Sequence, residues 1–243
     1  MKRIGLWIHN SASAIGHLHE IQSYGFDYIC IKIADGAQGY HPADAKQLSK
    51  DAENIEFPIM AWSYIYPWVD PYNQVSAIKE NLPHGCIDII LDAEGEWENN
   101  QGATHAISLI AEIKKQIPNA QLWLSSFYCP SLHAQFPWKE FMAVCVGFMP
   151  QAYQEGSTPE DTIKGRMKYS PFFEGKKIIP TVNTPRMLDI LQSNFNELNV
   201  WLWDGTGIEN SQMKNPGEDE GVRGLHGLWK SEIAKIKGQN NDA

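Results

Sequence analysis

The sequence predicts an α/β protein folded as a single (β/α)8 TIM barrel, and three observations predict it. Eight short β-rich runs alternate with amphipathic stretches, and their starts fall roughly 20 to 35 residues apart, the length of one strand–loop–helix unit. The chain has 243 residues, the size of one such barrel, and 43% of them are hydrophobic, enough for a full core. No repeat, low-complexity linker or break in composition marks a second domain, so residues 1–238 are read as the barrel and 239–243 as a polar tail.

The first strand is read at Ile4–Ile8. The competing architecture, a doubly wound open sheet, usually carries a glycine-rich turn next, and here the stretch is His9-Asn10-Ser11-Ala12-Ser13. The second strand is read at Tyr28–Ile33, with Asp35 two residues beyond it in what reads as a loop. The third is Pro58–Tyr64, followed by a helix over Asp70–Leu82 whose early Pro71 suits the first helical turn. The fourth is Ile87–Asp92. The helix after it, Ala103–Ile117, is the clearest, with Ile107, Ile110, Ala111 and Lys114 at i, i+3, i+4 and i+7, and Pro118 and Asn119 end it. Strands five to eight are read at Gln121–Ser125, Val144–Met149, Lys177–Thr181 and Val200–Trp203, with helices at Pro185–Leu198 and Leu225–Lys237.

Charge and motif content exclude several functions. The net charge is −9 and no Lys/Arg cluster stands out, the opposite of a surface built to grip phosphate backbones or an anionic membrane. No apolar run reaches the ~18 residues of a membrane span, so no membrane insertion is expected. Ile4–Ile8 is too short for a signal-peptide core and no small-residue cleavage site follows, which predicts synthesis in the cytoplasm without a signal peptide. Cys30, Cys86, Cys129 and Cys145 show no CxxC spacing and read as reduced, buried thiols. The histidines are scattered, with no HExxH, no GxSxG and no phosphate-binding P-loop; neither a metal nor a cofactor is expected. Gly205-Thr206-Gly207 sits where many barrels hold phosphate, a weak signal. The polar stretch from Asp204 to Gly224 reads equally as a lid or as a solvated loop.

In a barrel, chemistry sits at the C-terminal ends of the strands. That rule gathers His9, Asn10, Trp62, Tyr64, Tyr66, Asp92, Glu94, Glu96, Ser125, Tyr128, Gln151, Tyr153, Thr181, Asn183, Trp203 and Asp204, a mouth rich in rings and acids and nearly free of lysine. Asp92 and Glu94 are the sharpest pair. Two residues apart on a strand, they face the same way with Cα atoms about 6.5–7 Å apart. Repulsion and burial should raise one of them; a protonated Glu94 beside an ionised Asp92 is the division of labour that glycosidic cleavage requires. The competing reading makes these acids helix caps or cation ligands. The rings of Trp62, Tyr64, Tyr66, Tyr128, Tyr153 and Trp203 suit stacking on sugar faces, against the competing reading that they are core.

Three segments carry a resemblance: Asp92-Ala93-Glu94-Gly95-Glu96, Ser125 through Trp138, and Met149-Pro150-Gln151-Ala152-Tyr153. The layout resembles the glycoside-hydrolase barrels of family 25, the lysozyme-type muramidases, and more loosely those of family 18, the chitinase type. It is most similar to an uncharacterised group of hydrolase-like barrels from bacteria and phages. The resemblance implies that Glu94 is the acid, that Asp92 orients the N-acetyl group of a substrate, that Tyr153 stands near a strand-six tyrosine, and that Trp203 floors the sugar site. Two positions depart from those patterns. Family 25 has an aspartate in a strand-one Gly-x-Asp where this chain has Gly5-Leu6-Trp7, and family 18 has one where this chain has Ile90.

The function expected is a retaining glycoside hydrolase acting on an N-acetylhexosamine-containing polysaccharide such as peptidoglycan. No third acid is evident at the ends of strands one, five, six or seven, so the substrate's own N-acetyl oxygen is the expected nucleophile, with Asp204 or Asp35 as the competing partner. Tyr64, Tyr66, Glu96, Tyr128, Gln151, Trp62, Trp203 and Asp204 are the expected substrate contacts. The alternative is a glycan-binding barrel without catalysis, for example a phage virion or tail component, which would also supply a route of release. A metabolic barrel enzyme acting on a small phosphorylated substrate is the third reading.

Overall fold

The structure, a computed structural model, describes residues 2–153, 171–203 and 228–238. Its barrel strands are β1 (Arg3–Ile8), β2 (Tyr28–Asp35), β3 (Ile59–Tyr64), β4 (Asp88–Asp92), β5 (Gln121–Phe127), β6 (Gly147–Gln151), β7 in two pieces (Lys177–Ile178 and Thr181–Val182) and β8 (Glu197–Trp203). Neighbours pair in parallel all the way round, and β8 against β1 closes the barrel. Pro180 separates the pieces of β7, because it has no N–H to give to the ladder. A two-residue strand, Gln38–Gly39, folds back antiparallel on the end of β2.

The described helices are α1 (Leu18–Ser23), α2 (Pro42–Asn54), α3 (Pro71–Asn81), α4 (Gly102–Gln116), α5 (Trp138–Met142), α6 (Pro185–Gln192) and α7 (Leu228–Ile236). The starts of α3 and α6 follow from sequence. Asp70 and Thr184 accept the backbone N–H of Asn73 and Met187 at 3.0 and 3.2 Å, and a proline takes the first helical position of each.

Strand alternation separates two apolar layers. Ile4, Leu6, Ile8, Ile29, Ile31, Ile33, Ile89 and Leu91 point outward under the helices. Trp7, Tyr28, Cys30, Met60, Trp62, Ile90, Trp123, Met149 and Ile179 fill the barrel itself. Two glycines make room for the largest rings. A Cβ on Gly5 would fall inside Tyr28 and Asn199, and one on Gly147 inside the Trp123 ring. Two polar tips in this layer find buried partners: Tyr28 donates to Asn199 Oδ1 at 2.7 Å, and Trp123 Nε1 to Asp88 Oδ1 at 2.8 Å. All four cysteines are free thiols and three are buried.

One helix phase and several boundaries differ from the sequence reading. The buried face of α4 is Ala106, Leu109, Ile110 and Ile113, while Ile107 is exposed. The run Ala106-Ile107-Ser108-Leu109-Ile110-Ala111 supports two helical phases, and packing selects the other one. Helix α6 stops at Gln192, and β8 begins at Glu197, which is buried between salt bridges to Arg3 and Lys177. Strand β6 starts at Gly147 and runs through Pro150 to Gln151. Strand β2 runs on to Asp35, so Asp35 is part of the barrel and not of a loop.

Candidate active site

The register of the ladder builds the site. Asp35 pairs with Tyr64, Tyr64 with Asp92, and Asp92 with Ser125, so these four side chains share one level across β2 to β5. Asp35 reaches that level through a bulge. The β2–β3 register shifts between Lys32 and Ala34, which brings Asp35, in place of Ala34, opposite Tyr64. One strand further on, Gln151 closes β6 and pairs with Thr181 of β7.

Asp92 is 4% exposed. Its Oδ1 accepts from Ser125 Oγ at 2.8 Å and from Gln151 Nε2 at 3.2 Å. The same Gln151 nitrogen donates to Glu94 Oε1 at 2.7 Å, so one amide bridges the two carboxylates. Glu94 stands just past β4, half-buried, at the head of the one-turn helix Gly95–Trp97. That turn is pinned by Trp97, which is fully buried and donates from Nε1 to the carbonyl of Ile65 at 2.9 Å. The Glu94 side chain caps no helix, and α4 opens eight residues later under Gln101.

Burial, and then repulsion from Glu94, push the Asp92 carboxyl up to about 7; hydrogen bonds from Ser125 and Gln151 and the charge of Lys32 pull it back. The sequence reading expected the raised group to be Glu94. It is Asp92 that is raised, and the cause is its place: it ends its strand inside the barrel wall, where burial penalises its charged form.

The phenols around the pair stay protonated. Tyr153 is raised well above the ordinary tyrosine value by burial and by the charges of Asp92 and Glu94. Tyr64 donates to both Glu96 oxygens at 3.0 Å, and burial, Glu94 and Glu96 hold its hydroxyl proton in place. Tyr66 donates to Asp35 Oδ1 at 2.8 Å and is pushed up to about 12 by burial and Asp35. The Tyr64 and Tyr66 rings lie 5.0 Å apart, and Tyr66 leads at 5.3 Å to Trp68, which is exposed at the rim.

The mouth does contain a lysine. Lys32 is 4% exposed, donates to Asp35 Oδ2 at 2.7 Å, lies 3.4 Å from His9 Nε2 and sits over the rings of Tyr40 and Trp62. Sequence reasoning missed it, although its signal was present: Tyr28, Cys30 and Lys32 alternate on the inward face of an apolar strand. Trp62 is a second correction. It is 1% exposed, donates to the carbonyl of Ile8 at 3.2 Å and packs on Trp7 and Trp201 at 5.2 and 5.8 Å. It lies beneath the mouth as core and offers no free face to a ligand. Trp201, which the same strand-end rule places at the end of strand eight, is half-buried against that pair.

The structure thus gathers Asp92, Glu94, Gln151, Tyr153, Tyr64, Glu96 and Tyr66 at one side of the mouth. Tyr128 packs against the outer apolar layer. Trp203 ends β8, but its side chain lies outside the described residues, as do Asp204 and the Gly205–Gly207 segment. Among the described residues no group of three or more His, Cys, Asp or Glu could hold a metal ion, and no helix is long and apolar enough to cross a membrane.

No protein-family model matches the sequence, and no curated protein does. Solved structures do match its shape. Active domain 2 of a thermostable chitinase from Pyrococcus furiosus, a catalytic-site mutant complexed with chito-oligosaccharides, aligns with a TM-score of 0.61 at 9% identity over 100% of this chain and 97% of that one. An endo-β-N-acetylglucosaminidase from Cordyceps militaris aligns at 0.58 and 9% identity over 98% and 91% of the two chains. A fungal β-1,4-galactanase aligns at 0.60 and 10% identity over 97% and 98%. All three neighbours are glycosidase barrels. At these identities the likeness establishes the (β/α)8 fold, and the reaction has to be argued from the site.

Proposed function

We propose that this protein is a glycoside hydrolase acting on a polysaccharide that contains N-acetylhexosamine, with retention and with help from the substrate's own acetamido group. The observation that carries this reading is the Asp92–Glu94 pair joined by Gln151, one carboxyl buried and held near 7 and the other half-exposed at the mouth. Different environments give two carboxyls different roles. At rest the pair's proton is on Asp92; as substrate binds it passes to Glu94, which leaves Asp92 ionised, and Glu94, on the accessible side, gives it to the leaving glycosidic oxygen. The acetamido oxygen attacks the anomeric carbon as that bond breaks, forming a cyclic intermediate with the sugar. Asp92 accepts the acetamido N–H, and its carboxylate form offsets the positive charge that develops on the ring. Tyr153, kept as a phenol, donates to the acetamido oxygen. Glu94, now a carboxylate, then takes a proton from the water that opens the intermediate, which restores the starting configuration. The names of the chitinase and endo-β-N-acetylglucosaminidase neighbours support the substrate class.

Asp35 stands at the right level for a conventional second carboxylate, but Lys32 and Tyr66 already occupy both of its oxygens. That occupancy favours the acetamido oxygen as nucleophile. The family 25 likeness rests on sequence segments alone, and its strand-one aspartate is replaced by Trp7, a core ring. The test is the anomeric form of the first product, read by proton NMR on chito-oligosaccharides. Retention supports this reading and inversion contradicts it. Tight binding without turnover would favour the glycan-binding alternative.

A further inference from the structure

Trp68 stands on the loop from β3 to α3, at the rim of the mouth, and is 66% exposed. A single exposed ring needs no explanation by itself. Two observations set this one apart. The first is that its loop is held. Gln74 of α3, 1% exposed, accepts the N–H of Tyr66 at 2.9 Å and donates to the carbonyls of Tyr66 and Val69 at 2.9 and 3.1 Å. Pro67 is buried on one side of Trp68, and Pro71 opens α3 on the other. The turn after β2 backs the loop so closely that a Cβ on Gly36 would stand 3.1 Å from the Tyr66 ring. A buried amide gripping three backbone groups, between two prolines of fixed φ, presents the indole to solvent on a rigid support.

The second is continuity with the site. Tyr64 is tied by its hydroxyl to Glu96 and Tyr66 to Asp35, and the rings of Tyr64, Tyr66 and Trp68 follow one another at 5.0 and 5.3 Å. Each step is about the length of one sugar ring. The other exposed ring nearby, Tyr72, is 58% exposed but turns to the outer wall, where Lys115 of α4 lies over it. The chemistry of Trp68 then narrows the ligand. Indole offers a flat apolar face and one donor. One ring cannot supply the roughly 1,200–2,000 Å² of a stable protein interface. The charges along the ramp are the acids Asp35, Glu96 and, beside Trp68, the exposed Asp70, which repel an anionic ligand. A neutral sugar, with C–H faces and hydroxyl edges, uses both features of the indole.

We propose that Trp68 is an outer platform for a sugar unit of the substrate, beyond the units that pass Tyr64 and Tyr66, and that it makes the protein prefer long chains to short ones. The inference rests on the glycosidase reading for its ligand. A short oligosaccharide seated at Asp92 and Glu94 ends before the rim and gains nothing from Trp68, whereas a longer one reaches it. The rigid loop matters here, because a ring already held in place loses little freedom when a sugar stacks on it.

The test uses the Glu94→Gln protein, in which turnover is slowed, and calorimetric titration with chitobiose and chitohexaose. Trp68→Ala added to that protein should weaken chitohexaose binding about three- to tenfold, the scale of one lost ring contact, and leave chitobiose unchanged. Trp68→Phe should keep most of the affinity, and Tyr72→Ala should keep all of it. Equal weakening of both sugars by Trp68→Ala, no change in either, or the same loss in Tyr72→Ala overturns the platform and leaves the glycosidase reading standing. Failure of the Glu94→Gln protein to bind either sugar overturns both. The melting temperature gives an independent result. A ring 66% exposed has little packing to lose, so Trp68→Ala should hold it; a clear fall would show that the ring belongs to the fold, and would overturn the proposal.

Discussion

Replacing Asp92 by asparagine should make the protein more stable and less active, and the gain in stability should depend on pH in a specified way. The folded protein holds the Asp92 proton up to about pH 7, against an ordinary value of 3.8. Between those limits the folded state binds more protons than the unfolded chain, so stability falls as pH rises from about 4 to about 7 and stays low above it. At 1.36 kcal/mol per pH unit, the rise amounts to about 4 kcal/mol of cost at pH 8. The substituted asparagine carries no charge and keeps an oxygen for Ser125 and Gln151, so it escapes that cost. Urea unfolding across pH 3.5 to 8 measures it. Asp92→Asn and the parent should be nearly equal at about pH 3.5 and should diverge to as much as about 4 kcal/mol at pH 8, roughly 10 °C in melting temperature for a chain of this size. A difference that is constant with pH, or a variant less stable at pH 8, would refute the claim that Asp92 is a buried carboxyl held against ionisation.

Lys32→Met removes the cation that pulls the Asp92 carboxyl down, so the Asp92 titration followed by carboxyl NMR should move above its parent position; an unmoved or lowered midpoint contradicts the electrostatic link across the mouth. Trp62→Ala empties a site 1% exposed and should cost about 3–5 kcal/mol in unfolding free energy, the range for buried tryptophan; a loss of glycan binding at unchanged stability would return Trp62 to the ligand-contact role. Tyr66→Phe leaves the ring but removes the hydrogen bond to Asp35, and should leave kcat nearly unchanged because Asp35 takes no part in breaking the bond; a kcat collapse with unchanged KM would make Asp35 a reacting carboxylate.

The barrel was legible because its strands carry the inward–outward alternation that a two-layer core demands, and the helix starts because Asp70-Pro71 and Thr184-Pro185 are local capping signals. The Asp92–Glu94 pair was legible because a strand end followed by acids is visible in one dimension. What each acid does was not. That the Asp92 carboxyl is raised depends on its burial, and only the structure shows Asp92 inside the wall. Asp35 was hidden by a bulge, a one-residue change of register that sequence spacing does not display. Lys32 and Trp62 sit on the inward face, where the same period predicts core and site alike; depth in the barrel decides between them, and depth is a property of packing. The phase of α4 was ambiguous because two apolar stripes overlap in it.

The central claim is that Glu94 supplies the proton and the substrate supplies the nucleophile. The most direct measurement is turnover of two matched substrates, one with an acetamido group and one with a free hydroxyl at the same carbon, by the parent protein and by Glu94→Gln. The account predicts turnover of the acetamido substrate only, reduced at least ~10²-fold in Glu94→Gln, the scale of a lost general acid. Equal turnover of both substrates by the parent, or full turnover of the acetamido substrate by Glu94→Gln, would contradict it.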